Sequence, residues 1–229
     1  MEDKTKARLF WIIFFVVFFI IMYLFPLKKA ENTVPEEKKD GTNKILILSD
    51  GLFKKENYED TDEYNTYTTL LEKDGFTVEE YSMECMKAKT QLTTLETMDL
   101  DEYNTYIINL GFGDYTHNVS LYTNESESSF YYEVTSIINI IKQENENAKI
   151  IFVSDLCYEG DDRKNNVNYS YIDYYNLLKD ILSKNNIALI DMYEYTKNNP
   201  IDISKTNDLS LELKEHNFLY SQLIDKIKE

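Results

Sequence analysis

Residues 101–114 read DEYNTYIINLGFGD, and the fold turns on this stretch. Tyr103 to Leu110 (YNTYIINL) is rich in aromatic and β-branched residues and runs into Gly111, the pattern of a short strand closed by a turn. The same pattern recurs on both sides. Lys44 to Ser49 (KILILS), bounded by Asp50-Gly51, and Phe76 to Tyr81 are predicted strands upstream; Lys149 to Ser154 and Ile187 to Ile190, ending at Asp191, are predicted strands downstream. Helix-compatible stretches lie between and after them: Asp62 to Lys73 ending at Gly75, Phe130 to Asn145, Tyr169 to Lys184 and Leu209 to Lys228. In the second of these Val134, Ile137, Ile138 and Ile141 keep helical spacing. Alternating strands and helices predict an α/β fold, with near-continuously apolar strands forming a parallel sheet covered on both faces.

Upstream of this pattern, Leu9 to Leu27 (LFWIIFFVVFFIIMYLFPL) carries no charged residue. At about 1.5 Å per residue a helix of this length nearly matches a hydrocarbon core of roughly 30 Å. It is apolar on every face, unlike a core helix, and it is longer than the apolar stretch of a cleaved signal, with no small-x-small site in Pro26 to Ala30. Residues 9–27 are therefore expected to be a retained transmembrane anchor. Lys4, Lys6 and Arg8 precede the span and Lys28, Lys29, Lys38 and Lys39 follow it, so flanking charge does not choose an orientation. A short N-terminus before a long domain favours residues 1–8 in the cytoplasm and the domain outside, on a cell membrane. Residues 28–43 (KKAENTVPEEKKDGTN) read as a flexible linker, and residues 44–229 as the folded domain.

The chain has 41 acidic and 24 basic residues, a net charge of −17, which repels phosphate backbones and argues against nucleic acid as a partner. Cys85 and Cys157 are the only cysteines and His117 and His216 the only histidines. Neither pair has the close spacing of a metal motif, so no metal and no cofactor is expected. The acidic run Glu56 to Glu63 and the segment His117 to Ser129 read as solvated faces, although Tyr58, Tyr64, Tyr115 and Tyr122 within or beside them are residues able to stack on sugars.

In open parallel α/β sheets ligands gather beyond the carboxyl ends of the strands. The residues there are Ser49-Asp50-Gly51, Gly111-Phe112-Gly113-Asp114, Ser154-Asp155-Leu156-Cys157 and, before the last helix, Asp208. In order and spacing this framework, with DEYNTYIINLGFGD, AKIIFVSD and IALIDMYEYT, resembles the SGNH/GDSL hydrolases over roughly Lys44 to Ile227. The resemblance implies a three-layer flavodoxin-like fold with a five-stranded parallel sheet in the order 2-1-3-4-5. It also implies a nucleophilic serine after strand one, an oxyanion-binding asparagine after strand three, and an Asp-x-x-His supplying the base. Here Gly51 stands at the serine, Gly113 at the asparagine and Leu211 at the histidine, while Asp50, Gly111, Asp114 and Asp208 are retained. Acyl transfer needs an activated nucleophile, a base in reach and donors aimed at the oxyanion, and losing one donor alone costs about 100- to 1000-fold in rate.

The resemblance with emptied positions implies a non-catalytic binding or assembly module at the cell envelope, for a glycan or a protein partner. The alternative is a divergent esterase or O-acetyl transferase on envelope glycans, with a site rebuilt from Ser49 or Cys157 as nucleophile and His117 as base. A third possibility is a structural domain whose cleft is filled by its own side chains. Asp50, Asp114 and Asp208 either share a cleft, with at least one pKa raised, or cap helices and turns; the second is the ordinary role of aspartates after strands. His216 is expected on the surface of the last helix. With the family's strand order, the ends of strands two and four lie roughly 14 Å apart, beyond the Cα separation of about 7 Å that a disulfide tolerates, so Cys85 and Cys157 are expected as free thiols.

Overall fold

A computed structural model describes residues 43–50, 66–122, 129–201, 211 and 213–229. The chain separates into two units, Met1–Gly41 and Thr42–Glu229, of which the first lies outside the described residues. So do the expected anchor 9–27, most of the linker 28–43, Gly51, Tyr58, Tyr64, the acidic run 56–63 and Asp208. Among the described residues no helix is long and apolar enough to cross a membrane.

Five strands, β1 (Lys44–Ser49), β2 (Thr77–Ser82), β3 (Thr105–Asn109), β4 (Lys149–Val153) and β5 (Ala188–Ile190), form one parallel sheet in the order β2-β1-β3-β4-β5. The alternation of side chains along each strand divides the core into two layers. Leu46 and Leu48 of β1, Tyr106 and Ile108 of β3 and Phe152 of β4 face one side. They pack against α2 (Ala88–Leu95), α4 (Phe130–Glu144) and α5 (Tyr171–Lys184) through Leu92, Val134, Ile138, Leu178 and Ile181. Ile45, Ile47, Ile107, Ile151 and Val153 face the other side, against α1 (Tyr67–Lys73) and α7 (Leu213–Lys228) through Leu71, Leu219 and Leu223. Two short helices, α3 (Phe112–Thr116) and α6 (Met192–Asn198), follow β3 and β5 directly.

The observed strands differ from the sequence expectation by a residue or two at their ends, because pairing with the neighbour, not composition, sets where each begins. Helix α5 starts at Tyr171 instead of Tyr169 because Asp173 accepts hydrogen bonds from the Ser170 N–H and Oγ, both at 2.8 Å, which fixes Ser170 as the cap. Helices α2, α3 and α6 carry no strong periodic signal in the sequence. Helix α2 (AKTQLTTL) contains three threonines, poor helix formers, and is held from outside: the Asp114 carboxylate accepts from the Ala88 N–H at 3.1 and 3.2 Å, and Glu133 takes the N–H of Lys89.

Candidate functional site

At the carboxyl end of the sheet the polar residues that terminate the strands bond to one another. Ser49, ending β1, donates through Oγ to Asn109 Oδ1 at 3.3 Å. Asn109, ending β3, donates through Nδ2 to Val153 O at 3.1 Å and to Asp155 Oδ1 at 2.7 Å. The other oxygen of Asp155 accepts from the Phe112 N–H at 2.9 Å and from the Tyr171 hydroxyl at 3.5 Å, and the Asp50 side chain also bonds to this carboxyl. All of these polar side chains are buried. Burial holds the Asp155 pKa above the usual carboxylate range, against the pull of its hydrogen bonds to Asn109, Phe112 and Asp50.

The same economy extends along the rim. Ser154 Oγ accepts from the Tyr193 N–H at 2.9 Å, and Asp191 accepts from the Glu194 N–H at 3.1 Å at the start of α6. Asp114 caps α2 from a fully buried position, and burial pushes its pKa up to about 8, with the nearby Glu133 charge adding to the shift. Asp114, Ser154, Asp155 and Asp191 are thus each committed to holding a backbone N–H, while Ser49 and Asp50 bond to neighbouring side chains.

Gly113, at the position the resemblance gives to the oxyanion asparagine, has no room for a side chain. A Cβ there would stand 2.5 Å from Met86 O and 2.6 Å from Cys85 O. The loop after β2 is drawn into this place by the Cys85 N–H, which donates to Asp50 O at 2.8 Å, with Cys85 itself at φ 53°. Leu211, at the position of the base, is buried in the α1–α7 layer with Leu219, Leu223 and Met192. Above Asp155 sits a ring cluster. Tyr158 packs edge-on to Phe112 with centroids 5.3 Å apart and against Tyr171 at 5.5 Å, while Tyr115 meets Tyr171 at 6.3 Å and Tyr174 at 6.1 Å.

The three candidates for a rebuilt site engage different partners. His117 is exposed, and its Nδ1 pairs with Gly113 O at 2.8 Å and Thr116 Oγ1 at 3.4 Å, so Nδ1 carries the proton. Cys157 donates from Sγ to Asp161 Oδ2 at 3.5 Å, and its thiol pKa is pushed up by burial and then by the Asp161 charge, which disfavours the nucleophilic thiolate. No described hydrogen bond joins His117 to Ser49 or Cys157. Cys85 and Cys157 are both free thiols, half-buried. Asp50 and Asp114 are engaged with different groups, Asp155 and the α2 N-terminus, and among the described residues no three His, Cys, Asp or Glu side chains are placed to hold a metal ion.

One expectation is overturned. His216 is not on the helix surface but fully buried: its Nδ1 accepts from the Tyr67 N–H at 3.3 Å, and its ring stacks on Tyr67 with centroids 5.9 Å apart. Burial lowers its pKa to about 4. The spacing 216, 219, 223 places it in the apolar stripe of α7 that faces α1. Asn109 and Tyr171 stand outside the stretches that the sequence points to, and Asp155 stands inside one without a role; for Asn109 the available signal is a polar residue ending the otherwise apolar strand TYIIN.

No protein-family model matches the sequence, and no curated protein does. Solved structures do match. An acetyl xylan esterase superimposes with a TM-score of 0.59 at 17% identity, covering 80% of this chain and 98% of that one. A structure named as a GDSL-like lipase from Parabacteroides merdae gives a TM-score of 0.59 at 15% identity over 82% of this chain and 96% of that one. A variant of an acetyl-xylooligosaccharide esterase from Geobacillus gives 0.57 at 12% identity over 81% and 94%. The chain has an SGNH/GDSL-hydrolase-like fold.

Proposed function

We propose that this chain is a membrane-anchored SGNH-like protein that works as a non-catalytic binding or assembly module at the cell envelope, with its domain outside the membrane. The observation that carries the reading is the Cys85–Met86 backbone standing where an oxyanion side chain at residue 113 would have to lie. An oxyanion donor must reach within about 3 Å of the developing charge, and packed backbone denies that geometry. Leu211 in the core and the mutual bonding of Ser49, Asn109 and Asp155 support the same reading, since neither leaves a base poised for a nucleophile. The anchor rests on the uncharged run 9–27.

Hydrolysis of a chromogenic acetate by the full chain, beside Ser49→Ala, His117→Ala and Cys157→Ala, tests the reading. The expected result is turnover at background in all four proteins. Turnover above background that one of the substitutions removes would replace this reading with the rebuilt esterase. Extraction of membranes at alkaline pH, followed by protease treatment of intact cells, tests the anchor and its orientation: the chain should stay with the bilayer and lose its domain to external protease.

A further inference from the structure

Two populations of aromatic rings occupy the carboxyl end of the sheet. Phe112, Tyr115, Tyr158 and Tyr171 pack against one another and close over Asp155. Tyr122, Tyr131 and Tyr132 turn outward instead, and are 57%, 42% and 36% exposed. The rings of Tyr122 and Tyr131 lie with centroids 5.5 Å apart and planes inclined by 35°, so they pack on each other as an aromatic pair that keeps much of its outer surface exposed. Backbone bonds hold that surface in place: the Phe130 N–H donates to Ser120 O at 2.9 Å and the Tyr131 N–H to Leu121 O at 3.1 Å, while Ser129 Oγ accepts from the Tyr132 N–H at 3.3 Å.

Its position is that of a ligand-binding rim. Phe130, next to Tyr131, is buried against Tyr174 and lies within van der Waals reach of a Cβ placed on Gly111, the residue that leaves β3. The start of α4 therefore stands beyond the carboxyl end of the sheet, where open α/β folds gather their ligands. Exposed tyrosines offer a large rigid face at little cost in side-chain entropy, with a hydroxyl at the edge. Those properties match a sugar ring, which presents a C–H face flanked by hydroxyls. The net charge of −17 repels ligands bearing phosphate or carboxylate.

We propose that Tyr122 and Tyr131 form a stacking platform for a glycan chain free of phosphate and carboxylate groups. The assignment rests on the binding-module reading and gives it a ligand class and a place. The test is calorimetric titration of the full chain in detergent with a hexamer of N-acetylglucosamine, with xylohexaose, and with an anionic glycerol-phosphate polymer. The proteins compared are the native chain, a Tyr122→Ala and Tyr131→Ala double variant, the corresponding double Phe variant, and Tyr81→Ala as an exposed-tyrosine control on β2.

Binding of at least one neutral hexamer is expected, weakened about tenfold or more by the double Ala variant. The double Phe variant should stay within about threefold of the native chain, because the ring faces remain. Tyr81→Ala should bind as the native chain does, and the anionic polymer should not bind. Three outcomes overturn the proposal: neither hexamer binds, the double Ala variant binds as tightly as the native chain, or the anionic polymer is preferred. The ester assay judges the parent reading separately. Tyrosine-independent binding without ester turnover would remove the platform and leave the binding module, whereas substitution-sensitive turnover would remove the module and leave the platform to the titration.

Discussion

The two ends of the sheet handle charge in opposite ways. At the amino end Lys44 sits between Glu102, at 2.7 Å, and Glu79, at 3.1 Å, with the Tyr103 hydroxyl on Glu79 at 2.9 Å; these groups are partly exposed and of opposite sign. At the carboxyl end Asp50, Asp114 and Asp155 are buried and of like sign; Asp114 and Asp155 are answered by backbone N–H groups and amide or hydroxyl donors, and Asp50 bonds to the Asp155 carboxyl. Water already screens the first arrangement, so its removal changes little. The second has no water to fall back on, and each acceptor there fixes a segment of chain.

The largest expected loss that would break this contrast is at Asp155. Asp155→Ala takes away the acceptor of one Asn109 amide N–H and of the Phe112 N–H, with only the Val153 carbonyl left to Asn109, a cost of about 3 kcal/mol. Urea denaturation should show Asp155→Asn costing less, since its one amide oxygen can keep one of the two donors while its NH2 faces the other. Equal losses would mean that the carboxyl end is not held by these bonds.

A few kcal/mol should also depend on pH through Asp114. Its folded pKa, about 8, lies above the unfolded value near 3.9, so the folded state holds its proton more tightly. Its contribution is complete below about pH 4 and is lost as pH rises towards 8. His216 acts in the other direction over the acid part of the same window: with a folded pKa of about 4, its contribution is full above about 6.5 and is lost as pH falls towards 4. Between about pH 4 and 6.5 the two slopes nearly cancel, so melting temperatures should stay level there and fall from about pH 6.5 towards 8. Asp114→Asn should flatten the alkaline side; parallel curves for the variant and the native chain would contradict the buried-acid account.

Gly113→Asn should cost about 2 kcal/mol, because its Cβ meets the Met86 and Cys85 carbonyls, and it should restore no ester hydrolysis. A stable Gly113→Asn protein would mean that the loop after β2 yields readily and that the site is less closed than its packing indicates. The smallest effect belongs to the amino end. Lys44→Met should change stability by less than about 1 kcal/mol, and the difference should shrink further in salt.

Much of this architecture is legible in the sequence because it depends on local pattern. The runs KILILS and TYIIN and the stripe at Val134, Ile137, Ile138 and Ile141 announce strands and a helix before any contact is known. The resemblance supplied the strand order, which pairing bears out. The short helices leave little local signal for a reason visible in α2: its first turn is capped by Asp114 and Glu133, which lie more than 20 positions beyond that turn. His216 departs from the surface expected of a polar residue because its spacing with Leu219 and Leu223 puts it on the buried stripe. The site was legible only as a set of absences. Gly51, Gly113 and Leu211 can be compared with a family pattern in one dimension, but Asn109 and Asp155 acquire meaning only when β3 and β4 lie side by side.

By itself the sequence determined the elements, their alternation, the apolar run near the N-terminus and the loss of chemical groups at three family positions, since each follows from residue type and short-range spacing. The tertiary structure alone decided what became of the vacated places. Polar groups brought together by the parallel sheet had to find partners once removed from water, and they found them in the backbone of Cys85, Ala88 and Phe112 and in one another.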